Sequence, residues 1–234
     1  LNRKMRLTSA NSINVARFLP QAFYYFYAFA QLRSMQPKRS AEELETVFCV
    51  PSGNFGNLTA GLIAKRMGLP VKRFIAANNR NDIFLQYLKS GIYTPKPSVA
   101  TIANAMDVGD PSNFVRVLDL YGHSHEDISK DISGVGYSDD QISTTIKECL
   151  ANTGYLTDPH GACGYLALKE KLQNNENGIF LETAHPAKFA ETVENIIGKP
   201  VEIPAKLQEF MKGTKKSIAM TTDFEDFKRF LMGL

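Results

Sequence analysis

The chain has 234 residues, of which 44% are hydrophobic and 22% are charged, a composition typical of a folded globular protein. Its 27 basic and 24 acidic side chains leave a net charge of +3. Because the basic residues are scattered rather than clustered, we expect no nucleic-acid partner. No apolar run approaches the roughly 20 residues of a membrane span, so no membrane partner is expected either.

The cysteines and histidines give no sign of a metal or redox site. Cys49, Cys149 and Cys163 show neither a C-x-x-C pair nor the spacing of metal ligands. We therefore expect reduced, structural thiols, which favours a cytoplasmic protein. His123 and His125 lie two residues apart, but no further ligands gather around them, so solvated histidines are favoured over a metal site.

The first predicted element is a helical segment over residues 11–35. Apolar residues recur there at intervals of three and four, and Pro20 marks a kink or a break between two helices. Asn14 and Arg17 are three residues apart and could project from one face of this segment. Helix capping and a surface salt bridge explain these two residues equally well.

A strand, a glycine-containing turn and a helix follow. Residues 46–50 are apolar and β-branched without alternation, as in a strand covered on both faces. Gly53 and Gly56 let the backbone turn tightly and approach a ligand, and a helix beginning near Asn57 or Leu58 presents unpaired N–H groups. This geometry suits a phosphate, although an ordinary strand-to-helix turn fits the spacing as well.

A second buried strand, over residues 71–77, completes a βαβ unit with an expected right-handed crossover. In open α/β sheets, ligands bind beyond the carboxyl ends of the strands, which is where the glycine turn falls. The chain then continues through a loop with Pro95 and Pro97. Short helices are predicted after this loop at 114–121, 125–133 and 138–151.

The last part of the predicted sheet is a third strand over residues 178–182, which follows a helix over residues 161–172. Asp158 precedes that helix and Pro159 occupies its first turn, the pattern of a helix cap. Thr183 lies at the carboxyl end of the third strand, on the same edge of the sheet as the glycine turn. Its hydroxyl could bind a ligand there or cap the next helix.

Several segments together carry a family resemblance. They are Asn11–Asn14 with Arg17 and Leu19–Gln21, Val47–Gly61, Pro70–Ala77, Asn104–Val108, Asp158–His160 and Thr183–Phe189. In this order they resemble the threonine synthase family, pyridoxal-phosphate enzymes of the tryptophan-synthase-β-like fold. The resemblance implies an α/β fold of PLP-dependent fold type II, with a parallel sheet and flanking helices, of which this chain is a part.

The resemblance also implies roles for individual residues. The cofactor would be pyridoxal 5'-phosphate, and its phosphate would bind main-chain N–H groups of the glycine turn and the Asn57 side chain, where relatives often carry Asp. The turn residues concerned are Gly53, Asn54, Phe55, Gly56 and Asn57. Thr183 would meet the pyridine nitrogen. The residues expected near the substrate or the active site are Asn14, Arg17, Asp158, His160 and Lys188.

Members of this family convert O-phospho-L-homoserine and water into L-threonine and phosphate. Their Schiff-base lysine lies in an F-x-D-x-x-K-D-like motif upstream of the Asn-Ser-Ile-Asn segment, and no lysine from Lys4 to Lys228 has that context. We therefore expect no catalytic residue in this chain, which begins at Leu1, and interpret it as the C-terminal portion of an enzyme, inactive without the N-terminal portion. The alternatives are a serine or threonine dehydratase of the same fold and a non-catalytic protein without the lysine.

The resemblance further suggests how the chain is divided. Residues 1–40 are expected to form linking helices, and residues 41–90 together with 155–200 the core of a cofactor-binding α/β domain. Residues 91–154 would be a mostly helical insertion. A helical tail is expected over residues 201–234.

Overall fold

A computed structural model describes residue 8 and residues 10–214 and 216–233. By its internal contacts the chain forms two compact units. One consists of residues 10–201, and the other of residues 1–9 with 202–234. The second unit contains two helices in its described part, α10 (Ala205–Met211) and α11 (Phe224–Met232).

The larger unit alternates strands with helices. Its strands are β1 (Thr46–Pro51), β2 (Arg73–Asn78), β3 (Ile132–Gly136) and β4 (Asn177–Phe180). Its α-helices are α1 (Val15–Phe18), α2 (Ala22–Met35), α3 (Gly56–Arg66), α4 (Ile83–Ser90), α5 (Phe114–Leu120), α6 (His125–Asp131), α7 (Asp139–Thr153), α8 (Pro159–Lys171) and α9 (Ala190–Ile197). Short 3-10 helices lie at Leu19–Gln21, Asn104–Met106 and Pro186–Phe189. None of the described helices combines the length and apolar character that a membrane crossing requires.

The four strands form one parallel sheet in the order β3-β2-β1-β4. β1 is central and buried along its whole length, which explains its continuous apolar run. Because all strands are parallel, the segments that follow them emerge together at the carboxyl ends of the strands, called here the carboxyl edge of the sheet. The predicted parallel sheet with flanking helices is therefore confirmed, and the turn after β1 shares an edge with the segment after β4.

Alternate side chains of the central strands point into two separate apolar layers. Phe48 and Phe74 point into a layer with residues of α2, α3, α4 and α5. Val47, Cys49 and Ile75 point into the opposite layer, which residues of α7 and α8 complete. The period-two alternation of a strand thus buries both faces of the sheet under helices. Cys49, Cys149 and Cys163 are buried free thiols, as predicted.

Helix α3 approaches α2 closely because Gly61 carries no side chain. A Cβ on Gly61 would lie 2.5 Å from the ring of Tyr25, which is itself fully buried. The Tyr25 ring contacts Phe48 at 4.9 Å between centroids, and its hydroxyl donates to the Asn57 carbonyl oxygen at 2.6 Å. This contact fixes the start of α3, and with it the turn after β1, against the core.

The structure corrects the sequence prediction in two places. A helix was expected over residues 125–133, but α6 ends at Asp131 and Ile132–Gly136 forms the edge strand β3, paired with β2 from Phe74 onward. A short segment with two glycines gives little strand signal. β4 ends at Phe180, two residues earlier than predicted, so Thr183 lies three residues beyond the strand.

Glu176 joins the amino ends of the sheet by a buried ion pair. Its carboxylate accepts from Arg73 Nε at 2.9 Å and Nη2 at 2.6 Å, and these hydrogen bonds lower its pKa to about 2. We expect Glu176→Gln to cost about 3 kcal/mol of unfolding free energy at neutral pH, because Arg73 loses its charge partner. The ion pair stabilises the folded protein at pH values above the ordinary glutamate pKa of 4.5. The difference in unfolding free energy between Glu176→Gln and the unsubstituted protein should therefore shrink as pH falls toward 2.

This expectation can be checked by thermal unfolding from pH 7 down to pH 3. The exposed pair between Lys130 and Glu126 offers a control, because Glu126→Gln should change the melting temperature little at any pH. If the melting-temperature difference between Glu176→Gln and the unsubstituted protein stayed constant with pH, the ion pair assigned to Glu176 and Arg73 would be contradicted.

Candidate functional site

The turn after β1 has an unusual backbone at Phe55. This residue has φ 60° and ψ 10°, the left-handed region that bulky residues seldom occupy. Its ring is buried and packs on Phe84 with 4.8 Å between centroids. Core packing thus offsets the local strain, and the left-handed residue turns the chain directly from β1 into α3.

The amide groups of this turn have no internal acceptor. The backbone N–H groups of residues 53–57 find no hydrogen-bond acceptor within the part of the chain that the structure describes. The last two of them belong to the first turn of α3, where the helix dipole adds partial positive charge. Five consecutive donors beside a helix N-terminus form a site suited to an anion such as a phosphate ester.

Side-chain hydrogen bonds of two asparagines, rather than hydrogen bonds from its main-chain N–H groups, hold this turn in place. Asn54 donates to Ser12 Oγ at 2.8 Å and accepts from the backbone N–H of Ser112 at 2.6 Å. Asn57 donates to the Pro51 carbonyl at 2.8 Å and accepts from Ser52 Oγ, also at 2.8 Å. The amide side chains therefore satisfy the surrounding polar groups and leave the main-chain N–H groups of the turn to a ligand.

Gly53 is packed against a second loop at the same edge. A Cβ on Gly53 would lie 2.6 Å from Met106 Cα, in the 3-10 helix Asn104–Met106. This loop is fixed by Asp107, which accepts from Asn79 Nδ2 at 2.8 Å and from the Thr101 N–H at 3.0 Å. Only glycine therefore allows the turn and the loop to meet.

Asp158 and His160 form a buried pair at the start of α8. Asp158 Oδ1 accepts from the backbone N–H of His160 at 2.7 Å and from its Nδ1 at 2.5 Å, so Asp158 is the predicted helix cap. His160 Nε2 accepts from the Ala105 N–H at 3.1 Å. These two contacts fix the tautomer of His160 with its proton on Nδ1. The pair consequently connects α8 to the loop that carries Met106.

Glu182 belongs to the same cluster, although it was not selected from the sequence. Its Oε1 accepts from the Asp158 N–H at 2.9 Å. Burial, followed by the hydrogen bond with the Asp158 carboxyl, raises the pKa of Glu182 to about 9. Burial also acts to raise the pKa of Asp158, but hydrogen bonds with His160 and Glu182 outweigh it and keep that pKa below its ordinary value. In the sequence, the signal that could have singled out Glu182 is its position as an acidic residue directly after the apolar run Ile179–Leu181.

The remaining predicted residues, Thr183, Lys188, Asn14 and Arg17, have the following surroundings. Thr183 is exposed and directly follows Glu182. Lys188 is also exposed, and its Nζ lies 5.5 Å from the centre of the Phe189 ring, which packs on His160. Asn14 caps α1 by accepting from the Ala16 N–H at 3.0 Å. Arg17 is exposed in α1, and Ser12, three residues before that helix begins, contacts the turn.

His123 and His125, the two histidines of the polar loop, have different surroundings. His125 Nε2 lies 3.1 Å from the Tyr87 carbonyl oxygen and 3.0 Å from that of Leu88, at the end of α4. His123 is exposed and has a positive φ of 63°. Within the described ranges, no three His, Cys, Asp or Glu residues are grouped as a metal would require.

Two protein-family models match this chain. Residues 14–181 match the family model described as pyridoxal-phosphate dependent enzyme, and residues 161–231 match the model described as threonine synthase, C-terminal. A threonine synthase of Haemophilus influenzae is 47% identical over 232 residues, which is 99% of this chain and 53% of that protein. The chain spans about half the length of the curated relatives it matches.

Solved structures give the same result. The crystal structure of threonine synthase from Escherichia coli aligns with a TM-score of 0.87 and 42% identity, over 100% of this chain and 53% of that one. The crystal structure of PLP-bound threonine synthase from Brucella melitensis aligns with a TM-score of 0.84 and 31% identity, over 97% of this chain and 53% of that one.

Gly53→Ala tests the packing of the turn on the neighbouring loop. Because the added Cβ would clash with Met106 Cα, we expect the turn to move away from the geometry that presents its amides. Affinity for pyridoxal phosphate should fall at least tenfold, measured by fluorescence titration of the full-length gene product.

Gly122→Ala is the matched control, because a Cβ there meets nothing within 4 Å although φ is +55°. It should cost about 1 kcal/mol of unfolding free energy and leave the affinity for pyridoxal phosphate unchanged. Equal affinities for the Gly53→Ala and unsubstituted proteins would contradict the role of the turn.

Proposed function

This chain belongs to the pyridoxal-phosphate-dependent enzyme family, on its threonine synthase branch, and we propose that it provides the cofactor cradle of a threonine synthase. Such an enzyme converts O-phospho-L-homoserine and water into L-threonine and phosphate. The single observation that carries the proposal is the run of five backbone N–H groups at residues 53–57, which have no acceptor among the described residues and lie at the carboxyl edge of a parallel sheet.

The turn fits the phosphate of the cofactor. A phosphate ester carries up to two negative charges and has three terminal oxygens, and consecutive amides at a helix N-terminus match this charge and acceptor number. Main-chain N–H groups of Gly53, Asn54, Phe55, Gly56 and Asn57 would donate to the phosphate. The Asn57 side chain has a second amide hydrogen available for the same purpose, since Nδ2 makes one hydrogen bond, to Pro51.

Thr183 and the Asp158–His160 pair would face the ring. Pyridoxal phosphate, when bound, supplies an electron sink that stabilises negative charge developing on the substrate. The Thr183 hydroxyl would hydrogen-bond the pyridine nitrogen without giving it a full positive charge. Asp158 and His160 would border the ring through the backbone that they hold at the start of α8.

The substrate contacts would involve exposed cationic side chains. O-phospho-L-homoserine carries a phosphate and a carboxylate, and Arg17 and Lys188 are the cationic residues proposed to lie near its anionic groups, with Asn14 in the vicinity. None of the lysines in the chain has the context of the family's Schiff-base lysine. The N-terminal portion of the full-length protein would supply that lysine, so the chain without it would be inactive.

The proposed domain organisation follows the same assignment. Residues 41–90 and 155–200 would form the cofactor-binding core, joined by an insertion over residues 91–154 that adds the edge strand β3. Residues 1–40 would link this core to the rest of the enzyme, with a tail at 201–234. Three buried free thiols support a cytoplasmic location.

Two other functions are separable by assay. A serine or threonine dehydratase of the same fold would release ammonia from serine or threonine, whereas a non-catalytic relative would bind pyridoxal phosphate without turnover. The Asn-Phe-Gly turn and the Thr-Ala-His-Pro segment favour threonine synthase over a dehydratase. The gene sequence upstream of Leu1 would show whether a lysine-bearing motif precedes the chain.

The activity itself is the first test. We expect the full-length gene product with pyridoxal phosphate to form threonine and phosphate in equal amounts from O-phospho-L-homoserine, measured by amino-acid analysis and phosphate release. The 234-residue chain under the same conditions should give only the background of a no-protein sample. Ammonia release from threonine without phosphohomoserine turnover would establish a dehydratase instead.

Thr183 provides a sharper test of the cradle. Thr183→Val keeps the shape of the side chain but removes the hydroxyl, and we expect kcat to fall at least tenfold with a shift in the cofactor absorbance spectrum. Thr183→Ser keeps a hydroxyl and should lose less activity than the valine variant. Equal losses in both variants would contradict a hydrogen bond from Thr183 to the ring.

A further inference from the structure

Two buried carboxyl groups face each other at the carboxyl edge of the sheet. Asp158 Oδ2 and Glu182 Oε2 are both buried and have no hydrogen-bond partner in the part of the chain that the structure describes. The Asp158 N–H donates to Glu182 Oε1 at 2.9 Å, which brings the two carboxyl groups next to each other, and a hydrogen bond between them contributes to the pKa shifts of both. Two ionised carboxylates so placed would repel each other strongly, whereas one shared proton satisfies both oxygens.

The remaining contacts show which carboxyl holds the proton. Asp158 Oδ1 already accepts two N–H groups of His160, at 2.7 Å and 2.5 Å, and these bonds favour its ionised form. Glu182 Oε1 accepts a single N–H, that of Asp158, at 2.9 Å. The proton therefore belongs on Glu182 Oε2, which donates to Asp158 Oδ2.

The helix start is shaped to receive this carboxyl group. A Cβ on Gly161 would overlap Glu182 Oε2, so the acid lies directly against the glycine Cα in the first turn of α8. Any larger residue at position 161 would expel it. The position of Glu182 is thus determined by packing as well as by hydrogen bonds.

We propose that Glu182 is a positioning residue that acts as a neutral carboxylic acid, linking the exit of β4 to the start of α8 by a hydrogen bond to Asp158. The link continues from Asp158 to His160 and from His160 Nε2 to the Ala105 N–H at 3.1 Å. Ala105 adjoins Met106, which packs on Gly53. In this way Glu182 sets the position of its neighbour Thr183 relative to the glycine turn, a consequence that rests on the proposed function.

The charged and titratable groups around the pair are few. His160 faces Asp158 from α8, and Tyr155 approaches both carboxyls from the segment before that helix. Cys163 is buried in α8, where burial and then the negative charges of Asp158 and of Asp139 on α7 raise the pKa of its thiol. On the segment after β4, the Phe189 ring packs on His160 with 4.8 Å between centroids, and Lys188 Nζ lies 5.5 Å from the centre of the Phe189 ring.

The protonation state can be measured directly in the full-length gene product. Glutamate labelled with ¹³C at the side-chain carboxyl gives one NMR signal per residue, and Glu182→Gln identifies the signal of interest. We expect that signal to retain the shift of a protonated acid at pH 7 and to titrate near pH 9. The signal of Glu176, identified by Glu176→Gln, serves as a control and should stay ionised down to about pH 2. Titration of Glu182 between pH 4 and 5 would overturn the proposal.

Thermal unfolding gives a second readout. Because the pKa of Glu182 is raised above its ordinary value of 4.5, the stabilisation is complete below that pH and is lost as pH rises through about 9. Glu182→Gln keeps a donor for Asp158 Oδ2 and an acceptor for the Asp158 N–H without titrating. Its melting temperature should therefore exceed that of the unsubstituted protein by at least about 2 °C at pH 9.5, and the gap should narrow as pH falls and close below about pH 4.5.

Rescue by glutamine separates this role from a simple loss of packing. At pH 7, Glu182→Ala should weaken pyridoxal-phosphate binding about tenfold, whereas Glu182→Gln should bind normally. If the alanine variant does not fold, the glutamine variant and the NMR titration still decide the matter. A glutamine variant that binds as weakly as alanine would overturn the proposal. A neutral Glu182 in a protein without threonine synthase activity would refute the proposed function alone.

Discussion

The proposed site depends on a turn whose backbone N–H groups have no hydrogen-bond acceptor among the described residues. Residues 53–57 offer five such donors, while the Asn54 and Asn57 side chains satisfy the polar groups around them. Phe55 adopts a left-handed conformation that its buried ring stabilises.

The parallel sheet converts this local feature into a site. Since β1 and β4 are neighbours in parallel register, with Cys49 opposite Phe180, the turn after β1 and the segment with Thr183 emerge together. The loop with Met106 and the start of α8 meet the same edge through Gly53 and His160. Segments far apart in sequence are thus held by short polar contacts on a rigid scaffold, as a bound cofactor requires.

Much of this arrangement was predictable from the sequence because it depends on local signals. The continuous apolar run of β1 indicates a buried strand, the glycines mark the turn, and Asp158 followed by Pro159 marks the start of α8. β3 was missed because Ile132–Gly136 is short and glycine-containing, and its pairing with β2 is a long-range effect. Glu182 was missed because its neutral state depends on Asp158, which is distant in sequence and adjacent only in the fold.

The central claim is tested most directly by a crystal structure of the full-length gene product with pyridoxal phosphate. The account predicts that the cofactor phosphate lies within about 3 Å of several backbone nitrogens of residues 53–57, with the ring nitrogen near the Thr183 hydroxyl. A phosphate bound instead in the surface groove lined by Lys65, Arg66 and Lys130, with the turn amides free of ligand, would contradict it.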